Sequence, residues 1–87
     1  MDLNIKNKVV IVTGGAKGIG RGIVDVLAAE GAIPIIIGRN EVDNQNAIND
    51  LKALGREAYQ ITAELTNPEA CKIAVEAALD IFGRIDG

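Results

Sequence analysis

The stretch VTGGAKGIGRG, residues 12–22, contains five glycines and decides how this chain should fold. It follows the apolar run VVIV and precedes apolar residues at helical spacing. Glycine loses more conformational entropy on folding than any other residue, so five of them at one turn need a reason. A turn without Cβ atoms lets the backbone approach a phosphate, and the N–H groups and dipole of the following helix attract an anion. The sequence therefore predicts a phosphate site at this turn.

The spacing gives three of these glycines separate roles. Gly14 is expected to permit the tight turn, Gly18 the close approach of a phosphate, and Gly20 the packing of the helix on the sheet. Gly15 and Gly22 receive no role from the pattern. A tight turn that binds no ligand is the alternative interpretation, but such a turn would need only one or two glycines.

Elsewhere in the chain, strand-like runs alternate with helical spacing. Strands are predicted over residues 9–13, 33–37 and 57–61, and helices from Gly18, over 41–54 and from Pro68 to a stop at Gly83. The apolar residues expected to share one face are Ile19, Ile23, Val26 and Leu27 in the first helix, Ala47, Ile48, Leu51 and Leu54 in the second, and Ala70, Ile73, Ala74, Ala77, Ala78 and Ile81 in the third.

The element order β-α-β-α-β-α predicts an α/β fold with a parallel sheet of strand order 3-2-1. This is the first half of a doubly wound Rossmann-type fold, in which the first strand is central. No fourth strand follows within the 87 residues, so the first strand should have an open apolar edge. Residues 1–87 are therefore expected to be the N-terminal part of a single NAD(P)-binding Rossmann domain, and the isolated chain is expected to aggregate.

Composition excludes several classes of function. A net charge of −3 provides no basic face for nucleic acid, and no apolar run has membrane-spanning length. The opening MDLNIKNK lacks the layout of a signal peptide, so a cytoplasmic protein is expected. Since the chain has one cysteine and no histidine, it cannot form an internal disulfide or a zinc site of Cys and His, and no metal is expected.

The pattern T-G-x-x-x-G-x-G, residues 13–20, resembles the cofactor-binding signature of the short-chain dehydrogenase/reductase family. The segment GRN (38–40) matches the end of the family's second strand, AELT (63–66) resembles its adenine-contacting segment, and FGRIDG (82–87) resembles the lead-in to its fourth strand. The resemblance implies hydride transfer between a nicotinamide and a carbonyl or secondary alcohol, by a protein that forms a dimer or tetramer when full length. The family's catalytic Ser, Tyr and Lys have no counterpart here, and Tyr59 is no substitute because Ala63 stands where Lys is needed.

Chemistry and resemblance together assign cofactor contacts to Gly14, Lys17, Gly18, Ile19, Gly20, Arg39, Asn40, Glu64 and Leu65. In NAD-preferring relatives a carboxylate near the end of the second strand binds the ribose hydroxyls, whereas here Gly38 and Arg39 stand there. A guanidinium suits a 2′-phosphate, and Lys17 adds a second positive charge, so NADP is favoured. NAD stays open, because an arginine also stacks on adenine.

The remaining polar side chains and the cysteine are given the following expected roles. Asn40 could touch the ribose or cap the next helix, and capping is favoured. Glu64 is one methylene longer than the family's usual Asp, and Leu65 could take over its adenine contact. Glu41, Asp43 and Asp50 are interpreted as a solvated helix face, and Cys71 as a packing residue.

Several functions remain open. The substrate is expected to be a small alcohol or carbonyl compound, either a sugar, as for L-fucose dehydrogenases, or a 3-oxoacyl group on an acyl carrier protein. The alternative class is a non-catalytic NADP-binding sensor or regulatory module on the same fold. A methyltransferase is a third alternative, which Arg39 disfavours because such enzymes place an acidic residue there.

Overall fold

A computed structural model describes residues 6–87, in which three strands and three helices alternate. The elements are β1 (Val9–Thr13), α1 (Gly18–Ala29), β2 (Ile33–Gly38), α2 (Glu41–Ala53), β3 (Tyr59–Thr62) and α3 (Pro68–Phe82). The predicted ends shift slightly: β2 continues to Gly38, β3 begins at Tyr59, and α2 ends at Ala53. The prediction that MDLNIKNK is not a signal peptide falls mostly outside the described residues.

The sheet is parallel, with β2 between β1 and β3, which is the predicted order 3-2-1. Ile11 pairs with Ile35 in the register, and Ile37 pairs with Ile61. Ile35, Ile36 and Ile37 are consecutive and all buried, because helices cover both faces of the central strand. None of the helices within residues 6–87 is long and apolar enough to cross a membrane.

The two faces of the sheet have separate apolar cores. On the face covered by α1 and α2, the core consists of Val12, Val24, Ala28, Ile36, Ala47, Ile48, Leu51 and Ala58. On the face covered by α3, it consists of Val9, Ile35 and Ala78, with Ile11, Ile33, Ile61, Phe82 and Ile85 packed around them. Helices on opposite faces of one parallel sheet define the doubly wound arrangement.

The face that α1 turns to the sheet differs from the prediction. Val24 and Ala28 are buried, whereas Ile19, Ile23 and Val26 are exposed. The physical reason is a glycine: a Cβ atom at Gly20 would collide with the carbonyl oxygen of Gly14. The side of the helix that carries Gly20 must therefore face the turn and the sheet, and the bulkier apolar residues point away.

In the other two helices, the buried face differs from the prediction at one position in α2 and at two positions in α3. In α2, Ala47, Ile48 and Leu51 are buried as predicted, but Leu54 follows the last helical residue and is exposed. In α3, the small side chains of Ala74 and Ala78 make the buried contact with the sheet. The two large residues predicted beside them, Ile73 and Ile81, are exposed.

The free edge of β1 is partly covered, which corrects the expectation of an open edge. Asp86 N donates to Val9 O at 2.7 Å, and Ile11 N donates to Gly87 O at 2.6 Å. Val9 N donates to Asp86 Oδ2 at 2.8 Å, and Arg84 donates two hydrogen bonds to the same carboxylate. The Arg84 guanidinium, and after it the Val9 N–H, lowers the pKa of Asp86 below its ordinary value. Asp86 and Gly87 thus lie along the outer edge of β1 and pair with part of it.

Candidate cofactor-binding site

The turn between β1 and α1 has the backbone conformation that its glycines suggest. Gly14 has a φ of +67° and Gly18 a φ of +57°, a region that L-residues with a Cβ rarely adopt. A Cβ at either position would find no atom within 4 Å, so the space in front of the turn is open. Lys17, which precedes α1, makes no side-chain capping bond, and the first turn of α1 contains no acidic residue. This helix N-terminus has the geometry and polarity of an anion site.

Two further glycines bring the turn and the helix close to the sheet. A Cβ at Gly15 would lie 2.9 Å from Val24 Cγ2 and 3.2 Å from Ile36 Cγ1, so this residue, without a role in the sequence pattern, is required by packing. Gly20 packs against the Gly14 backbone, in agreement with the role predicted for it. A Cβ at Gly22 would meet nothing within 4 Å.

Two neighbouring cavities lie at the carboxyl ends of the strands. The first, of about 240 Å³, is lined by Gly14, Ala16, Lys17, Gly38, Arg39, Asn40, Asp43 and Asn44. The second, of about 310 Å³, is lined by Gly14, Gly38, Arg39, Glu64, Leu65 and Thr66. Because Gly14, Gly38 and Arg39 line both, the cavities adjoin. We call them the ribose pocket and the adenine pocket, after the cofactor parts that the sequence assigns to their residues.

The pockets bring together most of the predicted site residues, but not all of them. The ribose pocket contains Lys17 and Asn40, and the adenine pocket contains Glu64 and Leu65. Gly18, Ile19 and Gly20 line neither pocket, and the Ile19 side chain is 87% exposed in an apolar groove along α1.

Of the three carboxylates interpreted as a solvated helix face, Glu41 and Asp50 are exposed and Asp43 is partly buried, and two of them also form ion pairs. Asp43 Oδ2 lies 2.9 Å from Lys17 Nζ, and Asp50 Oδ2 lies 3.2 Å from Arg21 Nη2. The reason is that α1 and α2 contact each other and pack on the same face of the sheet. The ammonium of Lys17 thus has a carboxylate partner, whereas Arg39 is exposed and forms no ion pair within residues 6–87.

The remaining polar residues of the pockets make local contacts. Asn40 Oδ1 accepts a hydrogen bond from Asp43 N at 3.0 Å, which confirms that it caps α2. Glu64 accepts hydrogen bonds from the hydroxyl of Thr66 at 3.2 Å and from its N–H at 3.4 Å. The Glu64 side chain therefore stabilises the local turn at the edge of the adenine pocket.

Asn44 is a pocket residue that the sequence reasoning missed. It is 1% exposed, and its Nδ2 donates to Gly38 O at 3.0 Å and to Gln60 Oε1 at 3.3 Å. The sequence held a signal for it: position 44 lies three, four and seven residues before Ala47, Ile48 and Leu51, and so falls on the buried face of α2. A polar residue on such a face needs hydrogen-bond partners.

An open glycine turn at a helix N-terminus, at the carboxyl edge of a parallel sheet covered by helices on both faces, places the chain among Rossmann-type proteins. Residues 8–87 match the family model described as short chain dehydrogenase. The chain therefore belongs to the short-chain dehydrogenase family. It spans about a third of the length of the curated relatives it matches.

Individual relatives agree with this assignment. The chain is 38% identical over 86 residues to the 3-oxoacyl-[acyl-carrier-protein] reductase of Chlamydia pneumoniae, covering 99% of this chain and 35% of the reductase. It superimposes with a TM-score of 0.89 on a metagenomic short-chain oxidoreductase in complex with NADP, at 27% identity, covering 94% of this chain and 37% of that one. It also superimposes on a Burkholderia phymatum short-chain dehydrogenase/reductase in complex with NAD, with a TM-score of 0.87, 25% identity and coverage of 93% and 29%. Solved structures similar to this chain thus include one with each dinucleotide.

Proposed function

We propose that this protein is an NADP(H)-dependent oxidoreductase of the dehydrogenase/reductase kind, and that residues 6–87 bind the adenosine and pyrophosphate of the cofactor. The observation that carries the proposal is the open turn at Gly14 and Gly18 beside a pocket in which Arg39 is exposed and forms no ion pair with another described residue. The turn suits a pyrophosphate, because Cβ atoms at Gly14 and Gly18 would meet no atom of residues 6–87 within 4 Å and the helix N-terminus attracts an anion. The guanidinium suits a 2′-phosphate, which it can bind with two parallel hydrogen bonds.

The residues of this chain have binding and orienting roles in the proposed reaction. The bound nicotinamide would supply or accept the hydride. Gly18 and the first turn of α1 would hold the pyrophosphate, while Glu64 and Leu65 would form the wall of the adenine pocket. Fixing the adenosine end in this way limits how far the reactive ring can move, and such positioning is a large part of catalysis by cofactor enzymes.

The test of the proposal is a charge reversal at Arg39. Arg39→Asp should weaken NADP(H) binding by roughly tenfold to a hundredfold, since a charge-assisted contact is replaced by repulsion of the 2′-phosphate. NAD(H) binding should weaken far less, because NAD carries no phosphate at this place. Dissociation constants for both cofactors, measured by titration calorimetry on the full chain, provide the comparison.

The matched control is Lys52→Asp, which changes the net charge by the same amount as Arg39→Asp. Lys52 is exposed on α2 and lines neither pocket. It should leave the ratio of the two affinities unchanged. An equal loss of NAD(H) and NADP(H) affinity in Arg39→Asp would overturn the assignment of the 2′-phosphate to Arg39.

For the substrate we propose two classes to assay, 3-oxoacyl thioesters and sugars such as L-fucose. The first is supported by the 38% identity to a 3-oxoacyl-[acyl-carrier-protein] reductase. The second rests on the resemblance of the opening strand and turn to sugar-oxidising members of the family. Absorbance of the reduced nicotinamide, followed with each substrate, tests both. NADP(H) binding without turnover of any alcohol or carbonyl compound would favour a sensor instead.

A further inference from the structure

The end of β2 lies directly beneath the first turn of α2, where the Asn44 carboxamide is packed against Gly38. A Cβ built on Gly38 would lie 2.8 Å from Asn44 Oδ1, closer than real Cβ atoms approach an oxygen. Position 38 is also where NAD-binding relatives of this fold place a ribose-binding carboxylate. The side chain of Asn44 therefore occupies the space that such a carboxylate would enter.

The carboxamide cannot easily move aside. Its Nδ2 is hydrogen-bonded to Gly38 O and to Gln60 Oε1, and Gln60 Oε1 also accepts from the Thr62 hydroxyl at 3.1 Å. These bonds connect α2 to both β2 and β3. Because Asn44 is almost fully buried, turning its side chain away would leave polar groups without partners, which is costly in a protein interior.

We propose that Asn44 is a positioning residue that sets the dinucleotide preference of this site. Its carboxamide fills the space that a side chain at position 38 would need. It also holds the Gly38 carbonyl in place, and Arg39 follows that carbonyl at the ribose pocket. The consequence is that the 2′ position of the ribose meets a guanidinium and not a carboxylate. This inference rests on the proposed function, since it concerns the same ribose pocket.

The test is a set of variants of the full chain, with NADP(H) and NAD(H) affinities measured for each. Gly38→Asp alone should weaken both cofactors, because the new side chain collides with Asn44 and distorts the pocket. Gly38→Asp combined with Asn44→Ala removes the obstruction and lets the carboxylate reach the ribose hydroxyls. The double variant should regain NAD(H) binding and lose NADP(H) binding, a change in preference of about a hundredfold.

The matched control is Gly38→Asp combined with Asn44→Leu. Leucine has the same number and branching of side-chain heavy atoms as asparagine and is bulkier, so it keeps the space filled, but it makes no hydrogen bonds. If the obstruction is steric, this variant should not regain NAD(H) binding. Far-UV circular dichroism and the thermal midpoint, recorded for every variant, separate a changed preference from a loss of folding.

The outcomes distinguish a failure of the proposed function from a failure of the role proposed for Asn44. If the unaltered protein binds neither dinucleotide, the proposed function fails. If it prefers NADP(H), but Asn44→Ala does not restore NAD(H) binding to a folded Gly38→Asp variant, the role of Asn44 is overturned and the proposed function stands. Equal recovery of NAD(H) binding with Asn44→Leu would also overturn the role of Asn44, because loss of its hydrogen bonds alone would then explain the effect. Should the alanine variants fail to fold, Asn44→Ser, which shortens the side chain but keeps a polar atom, is measured with Gly38→Asp against the same criterion.

Discussion

At the scale of single residues, Gly20 and Gly22 stand two positions apart in the same helix but differ in their surroundings. Gly20→Ala would place a methyl group against the carbonyl oxygen of Gly14, whereas the methyl group of Gly22→Ala would meet nothing within 4 Å. We expect Gly20→Ala to reduce the free energy of unfolding by about 1–3 kcal/mol through overpacking. We expect Gly22→Ala to raise it by about 0.5–1 kcal/mol, because alanine is the better helix former.

Urea denaturation of both variants of the full chain, followed by circular dichroism, measures these changes. The comparison controls itself, since both substitutions are identical and lie in the same helix. A loss of stability of equal size in the two variants would contradict the packing role of Gly20.

The same glycines show what could be predicted from the sequence and what could not. The spacing of Gly14, Gly18 and Gly20 predicted the turn, because a positive φ and a close backbone contact depend on nearby residues. The packing role of Gly15 depends on Val24 and Ile36, and the latter lies on another strand. No local pattern carries that information. The ion pair of Lys17 with Asp43 was missed for the same reason.

At the scale of elements, helical periodicity predicted the existence of α1 but not its orientation. The apolar side of α1 is wide: it includes the exposed Ile19, Ile23 and Val26 as well as the buried Val24 and Ala28, so a period of 3.6 residues does not decide which part meets the sheet. The contact of Gly20 with the turn selects the face that includes Val24 and Ala28. In α2, where polar residues cover the opposite side, the period identified the buried residues Ala47, Ile48 and Leu51 correctly. Periodicity therefore identifies the apolar side of a helix, and packing contacts decide which part of that side is buried.

The edge of β1 gives a prediction on pH at the element scale. The pKa of Asp86 is lowered, first by Arg84 and then by the Val9 N–H, from an ordinary value of 3.8. A folded-state pKa below the unfolded value means that the carboxylate stabilises the fold above about pH 4 and that this contribution is lost as the pH falls through the folded value. We expect Asp86→Asn to be less stable than the unaltered protein at pH 7 and to show a smaller loss on acidification below pH 4.

Thermal midpoints of the full chain between pH 2.5 and 7 measure this difference. Asp80→Asn is the matched control, since Asp80 is exposed on α3 and forms no ion pair within residues 6–87. Parallel pH profiles for Asp86→Asn and the unaltered protein would show that the Arg84–Asp86 contact does not anchor the edge of β1.

At the scale of the whole molecule, the described residues leave two apolar surfaces in contact with solvent. One is the α1 groove, lined by Ile19, Gly22, Ile23, Val26 and Leu27, and the other consists of Ile73, Leu79 and Ile81 on α3. An exposed apolar groove such as that of α1 favours association, and the exposed apolar side chains of α3 add to it. We therefore expect the 87-residue chain to self-associate in solution, with an average mass that rises with concentration.

Substitutions in the α1 groove test whether this surface drives the association. Ile23→Gln combined with Val26→Gln should lower the average mass at a given concentration, because both side chains are about half exposed and neither belongs to the buried cores. Val42→Gln is the control: Val42 is exposed on α2, outside the groove, and its substitution should have little effect. Sedimentation velocity at a series of concentrations gives the mass of each variant. If the unaltered chain is a monomer at every concentration, these apolar faces do not drive association. If the groove variant and Val42→Gln have equal average masses, the association involves another surface.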